Sequence, residues 1–270
     1  MRSLDILLIG AMRTAAEAGI YAAVSRTVMY GLFAIDALRI AIAPQVSALL
    51  ASRNSARAHS LYRVATWWLV IASWPIYVTL CVFAPVVMRI YGPGFESGQD
   101  ALLILSIGML ISTGTGNVTT VLLMSGHSGA VLFNTAVALV VDVGLNLLLI
   151  PKFGIEGAAI AWVLAMATIE SLALWQVWRH LRIDPFGLGF GLAALGSAGC
   201  YGGIGLLIRS ALGETLLAMS IALLASTAAY LVFLFKFRSQ LRLAALRAVL
   251  SRRTRQPLDL DPQGIGPGGP

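Results

Sequence analysis

Four runs of this chain are long enough to cross a bilayer and carry no charge: Val64–Met88, Ala101–Gly126, Pro185–Ile208 and Thr215–Phe235 contain no Asp, Glu, Lys or Arg. A hydrocarbon core about 30 Å thick needs roughly 20 apolar residues in a helix. Lipid offers the backbone no hydrogen bonds, so each run must close its own ladder as a helix. Gly19–Leu50, Gly129–Pro151 and Ile155–Trp178 reach the same length with one to three charges inside. The expectation is an all-α polytopic transmembrane bundle: seven full spans within a helical domain over residues 1–235, preceded by a partial helix. Leu4–Met12 is too short to span and carries Asp5, which spoils it as the apolar stretch of a signal peptide. It reads as the second half of a helix whose first half lies outside this sequence.

Composition agrees. The 270 residues are 58% hydrophobic and 11% charged, against about 25% charged in soluble domains. The net charge of +7 is no nucleic-acid footprint, because the basic residues fall in the loops and one tail. Cys81 and Cys200 sit in apolar spans and read as small hydrophobes. Of the 19 basic residues, twelve fall on one side of the expected topology: Arg53, Arg57, Arg63, Arg179, Arg182, Lys236 and six tail arginines. Four fall on the other: Arg13, Arg89, Lys152 and Arg209. This bias puts the C-terminus in the cytoplasm. Residues 236–256 read as a basic amphipathic segment on the anionic leaflet. Residues 257–270, rich in Pro, Gly and Asp, read as a disordered tail.

Pro44, Pro75 and Pro85 lie inside spans and are tolerated there only where neighbours meet the carbonyls they free. Gly187/Gly191 and Gly199/Gly203 have the spacing that lets two helices approach closely. Ser112–Asn117 combines small polar residues with two glycines, which weakens a helix locally and suits either a path lining or tight packing.

Ionisable groups inside spans are costly and mark candidate sites. The first span holds Arg26, Asp36 and Arg39. Asp36 and Arg39, three apart, share a face and form either a structural ion pair or part of a ligand site. Arg26 suits a wet cavity. With Asn117 these three are the candidate substrate-binding residues. In the fourth span Asn134, Asp142 and Asn146 lie on one helical stripe that should face a cavity or another helix. Asp142, Asn146 and Glu170 are the candidates for coupling to a proton or Na⁺, or else bond to neighbouring helices. No enzyme signature emerges: His59, His127 and His180 lack metal-ligand spacing, and there is no HExxH, GxSxG or phosphate-cradling loop. No cofactor is expected.

Several motifs, in order, carry a resemblance: Asp5-Ile-Leu-Leu-Ile-Gly10, then Gly19-Ile-Tyr21, then Pro44 with Ser47 and Leu49, then Tyr91-Gly92-Pro-Gly-Phe95. Last and most specific comes Asn146 to Ala159, which includes Pro151-Lys-Phe-Gly154-Ile-Glu-Gly157. Over roughly residues 2–235 the chain resembles the C-terminal half of bacterial polysaccharide, or lipid-linked oligosaccharide, flippases. That superfamily also holds multidrug extruders. The resemblance implies two helical lobes around a cavity and alternating access that carries an undecaprenyl-diphosphate-linked glycan across the membrane. It also implies cationic cavity residues, here Arg26 and Arg39, that meet the diphosphate. It implies partners too: the bilayer, the polyprenyl-diphosphate-linked glycan and an N-terminal lobe supplied by another chain or a longer reading frame. The alternatives are half of a cation-coupled multidrug extruder, or a non-transporting scaffold in a glycan-assembly complex.

Overall fold

The computed structural model describes residues 2–29, 31, 55–116, 118–182 and 184–241. Among these the chain is all helical. Helix α1 (Arg2–Met12) turns back into α2 (15–29). The turn is set by Thr14, whose hydroxyl accepts from the Glu17 N–H at 3.1 Å as an N-cap. Then follow α3 (Ser55–Val82), α4 (Ala84–Ile90), α5 (Gln99–Gly114), α6 (Val118–Met124), α7 (Ser128–Leu181), α8 (Leu188–Ser197), α9 (Ile204–Leu212) and α10 (Leu216–Lys236).

Among the described residues, four helices are long and apolar enough to cross a membrane: His59–Val82, Ser128–Leu181, Leu188–Leu212 and Leu216–Lys236. A fifth crossing results if Phe95–Gly114 and Val118–Met124, bent by 40°, form one broken span. The expected first span, Gly19–Leu50, lies mostly outside the described residues, and so do Asp36, Arg39, Asn117 and the tail from 242 onward.

The 54-residue α7 would be about 80 Å long if straight. It is a hairpin. Gly154 adopts φ 58°, ψ −131°, a conformation open in practice only to glycine. Asn134 and Gln176, 42 positions apart, exchange amide hydrogen bonds at 2.8 and 2.9 Å. The expected fourth and fifth spans are thus the arms of this hairpin, joined directly at Gly154 rather than through a loop. The amide pair holds the arms together in a low-dielectric interior. Removing one partner there strands the other, so Asn134→Leu should lose about 1–3 kcal/mol in a denaturant titration. The double variant Asn134→Leu, Gln176→Leu should recover most of that.

Two proline sites show how the bundle meets backbone needs. Pro75 has no N–H for the Ile71 carbonyl, and the Tyr230 hydroxyl donates to that carbonyl at 3.2 Å. The expected unbroken run Val64–Met88 instead breaks at Phe83, ahead of Pro85. The adjacent Val82 carbonyl accepts from the Arg209 guanidinium, which also pairs with Glu214. The span expected to start at Pro185 starts at Leu188, because Gly187 is extended, and it runs through a π turn (Ala198–Gly203) into α9.

The weak point expected at Ser112–Asn117 is a break. α5 ends at Gly114, Gly116 has φ 70°, and Tyr62 Oη donates to the Thr115 carbonyl at 2.6 Å. Of the four expected close-packing glycines, Gly187 lies against the Trp67 ring, whereas Gly191, Gly199 and Gly203 face open space; Gly189 against Trp67 and Gly196 against Phe233 make tighter contacts. Trp68 is buried and donates to the Leu241 carbonyl. Trp175 and Trp178 are exposed, with Arg179 and Arg182 stacked on their rings at 5.2 Å.

The main core joins α1, α2, α3, α5 and both arms of α7 through Ile9, Tyr21, Tyr77, Met109, Ile150 and Trp162. Around it Leu132, Phe133, Val140, Leu148, Leu207, Leu224 and Val232 are exposed, as a lipid-facing surface requires.

A buried carboxylate pair as the candidate functional site

The first arm of α7 carries Asp142 and Asn146 on one face, one turn apart, and α1 packs along that face. Both side chains are fully buried, as is Asp5 on α1. Asn146 Nδ2 donates to Asp5 Oδ1 at 3.0 Å, to the Asp142 carbonyl at 2.9 Å and to Asp142 Oδ1 at 3.3 Å. Tyr21 of α2 donates its hydroxyl to Asp5 Oδ2 at 3.3 Å. One amide thus bridges two carboxyl groups that lie 137 positions apart in sequence.

The electrostatics are constrained. Two carboxylates joined through one amide repel each other, and burial adds a desolvation cost to each. Among the described residues no Lys, Arg or His forms an ion pair with either. Asp142 Oδ2 and Asn146 Oδ1 are buried and have no hydrogen-bond partner. The cluster therefore presents unsatisfied oxygens and two ionisable carboxyls, and an added positive charge relieves their repulsion. A shared proton fits, and so does a small hard cation such as Na⁺, which favours oxygen ligands. A soft transition metal fits less well, because the cluster's acceptors are all oxygens and it offers no thiolate or imidazole.

The expected residues divide into separate sites. Asp142 and Asn146 come together as their four-residue spacing implied. Asn134, on the same stripe, turns to Gln176 inside the hairpin. Glu170 sits apart, buried between the second arm and the end of α5, where it accepts from Ser112 Oγ at 3.1 Å and Thr115 Oγ1 at 2.6 Å. Arg26 is exposed on α2. Asp36, Arg39 and Asn117 lie outside the described residues. Asp5 and Tyr21 escaped selection as site residues. The available signal was Asp5 itself, a carboxylate in an otherwise apolar run. His127 and His180, far apart in sequence, stack with ring centroids 4.9 Å apart, while His59 pairs with Asp184 at 3.4 Å.

Comparison with known proteins adds one relative. Over 105 residues, 39% of this chain and 19% of the relative's length, the chain is 28% identical to an uncharacterised membrane protein, YabM, of Bacillus subtilis. No protein-family model matches, and no solved structure matches. The matched stretch spans less than a fifth of that relative. Together with its long apolar helices, this likeness marks the chain as a helical membrane protein.

Proposed function

We propose that the chain is one lobe of a cation-coupled membrane transporter in a bacterial inner membrane. Its cargo is an undecaprenyl-diphosphate-linked glycan. The observation that carries the coupling is the Asp5–Asp142–Asn146 cluster, a buried oxygen-rich site whose two carboxyls a cation would draw together. Groups this costly to bury in a membrane protein mark ion and proton paths. The site also joins α1 to the α7 hairpin, so gain or loss of the cation changes the force between two helices. That is the link a transporter needs between ion binding and movement.

The cargo class rests on the motif resemblance, above all the Asn146–Ala159 stretch. Counting the hairpin as two crossings and the bent α5–α6 pair as one gives six. The length and apolar character of Gly19–Leu50 support a seventh, and the basic-residue bias supports a cytoplasmic C-terminus.

The test is transfer of a fluorescent undecaprenyl-diphosphate-linked sugar across proteoliposomes that hold the complete two-lobed transporter, read by quenching with an impermeant reductant. Transfer should exceed that of protein-free vesicles and quicken under a Na⁺ or proton gradient. Arg26→Ala should slow transfer without disturbing cation binding at Asp142. Transfer equal to that of empty vesicles would remove the assignment.

A further inference from the structure

The last two turns of the second α7 arm carry two copies of one arrangement. Trp175 and Trp178, three positions apart, are neighbours on the helix surface, and both are exposed. The Arg179 guanidinium lies 5.2 Å from the centre of the Trp175 ring, and the Arg182 guanidinium 5.2 Å from that of Trp178. The arrangement recurs at the end of α10, where the Arg238 guanidinium lies 4.7 Å from the ring of exposed Phe235. The backbone is strained to make the second copy. Arg182 has φ 55° and is the one residue other than glycine with positive φ among the described residues. A side chain is costly in that conformation, yet here an arginine ends the helix with its guanidinium over Trp178.

Neither Arg179 nor Arg182 forms an ion pair among the described residues. Asp184, the next carboxylate along the chain, is held by Arg63 through bonds at 2.7 and 2.8 Å and by His59 at 3.4 Å. Stacking covers one face of each guanidinium and leaves its N–H edge open. That edge grips two oxygens of a phosphate at once. The rings already hold the two long side chains, so less freedom is lost on binding. On the same helix face Leu164 is exposed, about 16 Å nearer the hairpin turn, so an apolar surface leads up to the patch. We infer that Trp175, Trp178, Arg179 and Arg182 clamp the phosphate of an anionic phospholipid, with the rings against its glycerol and upper acyl chains. Two unpaired positive charges favour a net negative headgroup over a zwitterionic one, whose own cation they repel. The site goes beyond the coupling cluster and shares no residue with it. Its test reads lipid contact, so failure of glycan transfer leaves it standing.

The experiment places the full chain in bilayers that mix phosphatidylglycerol with phosphatidylcholine, one of the two brominated near the top of its acyl chains. Quenching of tryptophan fluorescence reports which lipid sits at the rings. Phosphatidylglycerol should occupy the site about tenfold more strongly than phosphatidylcholine. Trp175→Phe with Trp178→Phe should remove most of the headgroup-dependent quenching, which assigns it to these rings. Arg179→Lys with Arg182→Lys keeps both charges but loses both planar forks, and should cut the preference at least about threefold. Arg182→Gly suits the backbone at that position, so it should be at least as stable as wild type while part of the preference is lost. No preference in the wild-type chain, headgroup-dependent quenching that survives removal of both rings, or an undiminished preference in the lysine variant would each overturn the inference.

Discussion

Valine in place of Gly157 should prevent the α7 hairpin from closing. A Cβ at Gly157 would lie 2.5 Å from the Leu149 carbonyl oxygen and 2.6 Å from its carbon. Both obstacles are backbone of the opposite arm, which cannot turn aside as a flexible side chain can. Overpacking among side chains costs about 1–3 kcal/mol, and a backbone clash at a turn exceeds that. Marginal stability leaves little reserve. The expected result is a near-complete loss of monodisperse protein after detergent extraction. Gly154→Ala should act through conformation, because its φ of 58° disfavours any side chain. Its cost should be about 1–3 kcal/mol, and the protein should remain extractable. Wild-type yield and stability in Gly157→Val would mean that the arms do not approach as described.

Asp142→Asn should abolish the stabilisation of the chain by added cations. In wild type the carboxyl pair is repulsive until a proton or Na⁺ arrives, so added cation should stabilise the folded protein. A ligand at about 100 times its dissociation constant contributes about 2.7 kcal/mol. Asparagine removes one negative charge and with it the need for the cation. Without Na⁺ at high pH the variant should therefore be more stable than wild type. At saturating Na⁺ or low pH the order should reverse or the gap vanish, and cation-driven transfer should be lost. Thermal unfolding in nanodiscs, with choline replacing Na⁺ at constant ionic strength and over a range of pH, measures both arms. Parallel curves for the two proteins would exclude a coupling role for the pair.

The helical bundle was legible because hydrocarbon leaves the backbone one option, and uncharged runs of sufficient length announce it. Exact breaks were less legible. The stretch Pro151–Gly157 signalled an interruption, but only the positive φ at Gly154 and the close approach of Gly157 to Leu149 show that the chain folds straight back. The stripe Asn134–Asp142–Asn146 was visible as a helical period, yet periodicity does not say what each member meets. Asn134 found Gln176 on its own hairpin, and Asp142 found Asp5 across the whole chain. Helical spacing places residues on one face; it carries no information about a neighbour 137 positions away. Gln176 drew no notice because an uncharged amide in an apolar span stands out less than a carboxylate. Glu170 did stand out, but no local pattern joins it to Ser112 and Thr115.

The bond from Tyr230 to the Ile71 carbonyl also has a consequence for biogenesis. Its two ends are 159 positions apart, and at about 5–20 residues per second a ribosome needs on the order of ten seconds to travel between them. Throughout that interval the third helix has a bare oxygen at the site of its proline, which hydrocarbon alone does not tolerate. The nascent chain must therefore hold that segment against water or against the insertion machinery until α10 emerges, so release of the third helix into the bilayer waits for its docking on α10.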